Sequence, residues 1–168
     1  MLKETFFALS LLATTATADT IFPTYTSLDL NGDSHTLPAD LPGDPTIVFI
    51  AYKQRQQDAV NTWINALELD PSIGPEFVEL PVVGSATTMI RSYVDNGMRS
   101  GIVDTNLRRR TITLYENASE VNAPLGFQGR GQIRVLLVRP SGEVLWQTSG
   151  PATTEGVEAL KQAYADAL

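Results

Sequence analysis

The feature that most constrains this chain is a strand, turn and helix read from adjacent residues. Thr46-Ile47-Val48-Phe49-Ile50-Ala51 is a short apolar, partly β-branched run that follows Gly43-Asp44-Pro45. Such a run is a strand buried on both faces. A polar turn follows, Tyr52-Lys53-Gln54-Arg55-Gln56-Gln57-Asp58, and then Ala59, Val60, Trp63, Ile64 and Leu67 at helical spacing. That spacing gathers the apolar side chains into one stripe, which a helix over 56–69 would lay against the strand. Asp70-Pro71 ends it, because proline cannot continue a helix.

The remaining chain supplies neighbours for this unit. Phe22 to Asp29 and His35-Thr36-Leu37 flank Asn31-Gly32, a two-residue hairpin signal. Phe77 to Val83 reads as a strand, and Ser85 as the cap of a helix bearing Met89, Ile90, Tyr93 and Val94, stopped at Asn96-Gly97. Asp104 is a capping residue ahead of Leu107, Thr111 to Tyr115 is β-rich, and 117–126 has room for one helical turn. Ile133 to Val138, the turn Arg139-Pro140-Ser141-Gly142 and Glu143 to Gln147 form a second hairpin. A closing helix capped by Thr154 carries Val157, Leu160 and Tyr164 on one side. Strands alternating with helices, then a hairpin and a helix, predict an α/β domain with a mixed sheet flanked by helices and an N-terminal β-hairpin extension.

With 168 residues, 43% of them apolar, the chain holds one packed domain. Its N-terminus carries an address. Lys3 precedes the apolar run Phe6 to Ala13, and Ala16-Thr17-Ala18 places small residues before Asp19. This is the pattern of a secretory signal peptide over 1–18, followed by a mature domain over 19–168. The run is too short to span a bilayer, and no later segment is long enough. A periplasmic or otherwise exported protein is expected. Its net charge of −7 argues against bulk-charge binding to nucleic acid or anionic lipid.

The absence of cysteine excludes disulfides, thiolate metal sites and thiol oxidoreductase or peroxidase chemistry, since the thiolate is the agent in each. His35 is the only histidine and reads as a surface residue; no metal and no cofactor is expected. Ser85, Ser100 and Ser141 lie outside G-x-S-x-G, and no phosphate-binding glycine motif occurs. No catalytic residue is assigned.

Two groups remain as binding candidates. Tyr52, Lys53, Arg55 and Gln56 lie at the carboxyl end of the central strand, the usual crevice for ligands in open α/β sheets. Arg108-Arg109-Arg110 stands in the stretch 91–139, which holds eight of the twelve basic residues and four of the nineteen acidic ones. It reads either as a docking face, with charges that contribute little to stability, or as a charged edge that blocks strand pairing.

At Val135-Leu136-Leu137-Val138-Arg139-Pro140-Ser141-Gly142-Glu143-Val144-Leu145-Trp146, with the final helix behind it, the chain resembles the thioredoxin-like superfamily. Gly129 to Gly150, notably Ile133, Val138, Trp146 and Ser149-Gly150, is similar to the thioredoxin-like assembly factor of the mitochondrial ATP synthase membrane sector and its exported bacterial relatives. The resemblance implies a thioredoxin-like fold whose redox turn is occupied by Lys53-Gln54-Arg55-Gln56. Gly131-Gln132-Ile133 stands where the superfamily has a cis proline, which makes Gln132 a further candidate. The implied function is a redox-inactive accessory or assembly factor with a protein partner in an envelope complex. The alternative is a small-ligand or anion-binding protein, or a non-thiol enzyme, using the Lys53/Arg55 crevice.

Overall fold

A computed structural model describes residues 20–85 and 88–168. The proposed signal peptide and the first residues after Ser85 lie outside the described residues.

The N-terminal hairpin pairs β1 (Tyr25–Leu28) with β2 (Ser34–Leu37), turning at Gly32 with φ of 96°. The main sheet has the order β4-β3-β5-β6, built from β3 (Thr46–Ala51), β4 (Phe77–Pro81), β5 (Arg134–Val138) and β6 (Val144–Ser149). β3 runs parallel to β4 and antiparallel to β5, so Val48 stands between Val78 and Leu136. The mixed sheet and the hairpin extension match the architecture read from the sequence.

Alternation along β3 explains its unbroken apolar run. Val48 and Ile50 join Val78, Leu80, Leu136 and Val138 on one face, covered by Phe22, Leu37, Leu41, Val121 and Leu125. Ile47 and Phe49 join Phe77, Val135 and Leu137 on the other. There α1 (Gln57–Ala66) and α5 (Thr154–Ala167) lay down Val60, Trp63, Val157 and Leu160. A strand covered on both faces has no position for a solvated side chain. Trp63 is fixed twice, by its indole N–H to Gly150 O at 2.9 Å and by an edge-on contact with Trp146 at 6.0 Å.

Other elements depart from the sequence reading. α2 (Thr88–Gly101) runs straight through Asn96-Gly97; Gly97 lowers helix stability there without ending the helix. Asp104 does cap α3 (Thr105–Arg110), accepting from Asn106 N and Leu107 N. Residues 111–114 form no regular strand, but Ile112 N and Leu114 N donate to Glu79 O and Pro81 O and close the outer edge of β4. The helical turn at 117–126 is α4 (Ala118–Asn122), continued by a 3-10 turn. The closing helix is capped by Thr153, whose hydroxyl accepts from Gly156 N at 3.0 Å, rather than by Thr154. Among the described residues no helix is long and apolar enough to cross a membrane.

Candidate functional site

The carboxyl end of β3 separates two regions. On the β5 side, the turn residues point inward. Tyr52 is buried and its hydroxyl donates to Asn122 Oδ1; Asn122 Nδ2 donates to Gly129 O at 2.6 Å. Gln56, also buried, accepts from Tyr52 N at 2.8 Å and donates to Arg130 O at 3.1 Å. Arg134 completes the plug. It donates to Gln128 O, Gly129 O and Ser149 Oγ at 2.6, 3.2 and 2.8 Å. Its guanidinium lies over the rings of Phe127 and Tyr52 at 4.7 and 6.0 Å. Burial pushes the Tyr52 phenol up, opposed by Arg134 and Asn122. Five residues of loop, 127–131, are thereby fastened over the turn.

The crevice expected between Lys53 and Arg55 is therefore filled from within. Arg55 is exposed and takes no part in the neighbouring groove, whereas Lys53 lines it. Tyr52 and Gln56 are fasteners of the turn. Gln132 is exposed beside Gly150, and the cis peptides among the described residues are Leu37–Pro38 and Asp44–Pro45, not one at 132–133.

On the β4 side lies a groove of about 1340 Å³ between α1 and α2. Its floor includes Phe49, Phe77 and Glu79, and its walls carry Val60 and Ile64 from α1 and Tyr93, Val94 and Met98 from α2. Residues 89–101 of α2 include none that is buried. Met89 and Tyr93 are 84% and 81% exposed. The helix is held by polar ties. Tyr115 donates its hydroxyl to Asp95 at 2.6 Å, Arg99 Nε donates to Leu30 O at 2.6 Å, and Arg108 donates to Ile102 O and Arg99 O at 2.5 and 2.8 Å. A helix tied at points stands off the sheet and leaves its apolar side over open space.

Glu79 is the groove's only acidic residue. Its side chain shares a sheet face with Phe77 and receives Gln57 Nε2 at 3.1 Å. Burial pushes its carboxyl above the usual range, the Gln57 hydrogen bond acting against the shift. A lone acid inside Phe77 to Val83 is the sequence signal for this position, as Arg134 inside Ile133 to Val138 is for the plug.

The arginine run divides into three roles. Arg108 holds the end of α2. Arg110 donates to Pro71 O, Phe77 O and Glu76, the last at 2.6 Å, and stacks on Phe77 at 4.9 Å. Only Arg109 is exposed. A uniform run of solvated charges, replaceable without effect on stability, is corrected accordingly: two of the three arginines clamp the fold. His35 is likewise more than a surface residue. Its Nε2 lies 3.0 Å from Asp29, whose side chain is 0% exposed and also accepts from Asn31 N and Asp33 N. The pair fastens the hairpin turn.

No family model and no curated protein matches the chain. Solved structures match at the level of fold. An exposed lipoprotein thioredoxin of Streptococcus pneumoniae is 14% identical, covering 85% of this chain and 99% of its own, with a TM-score of 0.53. The thioredoxin domain of a thiol-disulfide oxidoreductase from Bacteroides vulgatus is 14% identical over 86% of this chain and 94% of its own, with a TM-score of 0.51. BsSco, a member of the Sco family of cytochrome c oxidase assembly proteins, is 13% identical over 88% and 94%, with a TM-score of 0.52. The fold is thioredoxin-like.

Proposed function

We propose that this is an exported, redox-inactive thioredoxin-fold protein that acts by binding, as an accessory or assembly factor for a protein complex of the cell envelope. One observation carries the reading: the turn after β3 is closed by its own buried side chains, while an apolar groove stands open beside it. A chain without cysteine has no thiolate to exchange. An exposed apolar surface is the usual mark of a partner's seat. The likeness of Gly129 to Gly150 to the ATP synthase assembly factor points the same way. So does the presence of an exposed lipoprotein and an assembly protein among the structural neighbours. Residues 1–18 serve as the signal peptide, and Lys53 is the charge on the lining of the docking region.

The test places a photo-crosslinking amino acid at Tyr93 in the native envelope, with Lys161 on α5 as the control position. A discrete protein adduct from the Tyr93 position alone is expected, and the mature chain should begin at Asp19. Equal labelling from both positions, or none from either, would sink the docking assignment; retention of Met1 would sink export.

A further inference from the structure

We propose that the groove between α1 and α2 takes an extended apolar peptide segment carrying one lysine or arginine, whose cation meets the carboxylate of Glu79. The inference rests on the groove being the protein-docking region and adds the chemistry of what docks.

Glu79 is an anomaly in its surroundings. It projects into an apolar floor with one hydrogen-bond donor, Gln57, and forms no ion pair among the described residues. The groove's single basic residue, Lys53, is not within ion-pair distance of it. Half-buried at the foot of an open groove, this carboxylate has given up part of its hydration with one neutral donor and no cation to offset it. A cation arriving with an apolar segment supplies them, through a charge-assisted hydrogen bond strengthened by the same desolvation. The long alkyl stem of lysine or arginine suits the approach, because it packs on apolar walls while its head reaches the acid. The net charge of −7 favours the encounter from a distance.

The shape and the rim select a peptide over a small amphiphile. About 1340 Å³ exceeds the roughly 300–1,000 Å³ of most small-molecule sites. Side-chain amides stand on both walls, Gln54, Gln57 and Asn61 near α1 and Asn96 on α2. Gln57 uses its Nε2 on Glu79 and Asn61, which leaves its carbonyl oxygen and the Asn61 amide nitrogen for a ligand. Carboxamides pair naturally with the unpaired N–H and C=O groups of an extended backbone. A helix arrives with those groups already satisfied and would gain nothing from them.

The experiment uses the mature chain and fluorescent short peptides of alternating leucine and serine, with lysine, norleucine or glutamate at the centre. Fluorescence anisotropy should show the lysine peptide binding about tenfold tighter than its norleucine twin, with the glutamate peptide weakest. Glu79→Gln should erase the lysine preference while the norleucine peptide still binds. Gly97→Trp, which adds a large side chain on the groove lining at a position where a Cβ meets nothing within 4 Å, should abolish binding of all three. Equal binding of all peptides, blocked by Gly97→Trp, would leave the docking groove standing and overturn the role of Glu79. No peptide binding beyond that of Gly97→Trp would remove both. Octylammonium bound with no peptide bound would assign the groove to a small amphiphile and overturn the proposal.

Discussion

On the β5 side of the carboxyl end of β3, Tyr52, Gln56, Asn122 and Arg134 are buried polar groups that stitch loop 127–131 onto the turn. On the β4 side, apolar residues line an open groove and the one acid has a single donor. The two regions invert the usual arrangement, polar inside and apolar toward solvent. The contrast teaches where this chain keeps its specificity. A buried network is worth much only when nearly every member is satisfied, and it then rigidifies what it touches. An apolar surface left open loses free energy until something covers it. The first region stabilises the fold; the second is suited to recognition.

The sharpest way to break this comparison is to remove one polar group from each side. Arg134→Ala strips charge-assisted hydrogen bonds and two ring contacts from the plug, and should cost about 3 kcal/mol in urea unfolding. That corresponds to roughly 6–12 °C in the melting temperature. Glu79→Leu should do the opposite, raising stability by up to about 1 kcal/mol as a half-buried carboxyl gives way to an apolar side chain. If both variants lose stability equally, the groove acid is structural and the two regions do not differ in kind.

Gly97→Ala probes the groove wall alone. An exposed glycine in a helix interior lowers stability, so the alanine variant should gain about 0.5–1 kcal/mol in urea unfolding, since α2 is helical through this position. A loss would mean that Asn96-Gly97 interrupts the helix, the stop read from the sequence.

The smallest effect is one of pH. Burial holds the folded Glu79 carboxyl above the ordinary carboxylate value, with the Gln57 hydrogen bond acting against the shift. The native state therefore binds more protons than the unfolded state in the window above that value, and the Glu79 contribution to stability falls as pH rises through it. Glu79→Gln should flatten this component. Neutral Gln57 is the group hydrogen-bonded to Glu79, and Lys53 is the basic residue that shares the groove lining with it. The stability difference between wild type and Glu79→Gln, followed from pH 4 to 8, should grow in favour of the variant (the range is chosen about the usual carboxylate pKa of roughly 4.3). A pH-independent difference would place the carboxyl in water.

Much of the fold was legible because period and punctuation agreed. The apolar run of β3, the stripe of α1 and the hairpin of β5 and β6 each need no long-range knowledge. The edge at 111–114 was harder: its residues are β-rich, yet their pairing with β4 depends on α3 delivering them to the strand's edge. The site was less legible still. Lys53 and Arg55 stand two residues apart but serve different surroundings, and Arg108, Arg109 and Arg110 have three separate fates. A charge in sequence does not declare its acceptor, and for Arg108 and Arg110 these are mainly backbone carbonyls. The groove itself had no local signature, because an amphipathic helix reads the same whether or not its apolar side is covered.

The point-wise suspension of α2 sets a kinetic consequence for the whole molecule. Among the described residues its attachments include hydrogen bonds from Tyr115, Arg99 and Arg108 and the Arg91 guanidinium over the Tyr115 ring, and 89–101 hold no buried residue. Detaching it exposes little new apolar area, so this wall opens as its own unit, well below the global unfolding free energy. Amide hydrogen exchange should register that split: α2 amides exchanging orders of magnitude sooner than those of β3 and β5, and slowing only when the groove is occupied. A bound segment would then be ordered together with the helix above it, so its residence time is governed by how often that helix lifts.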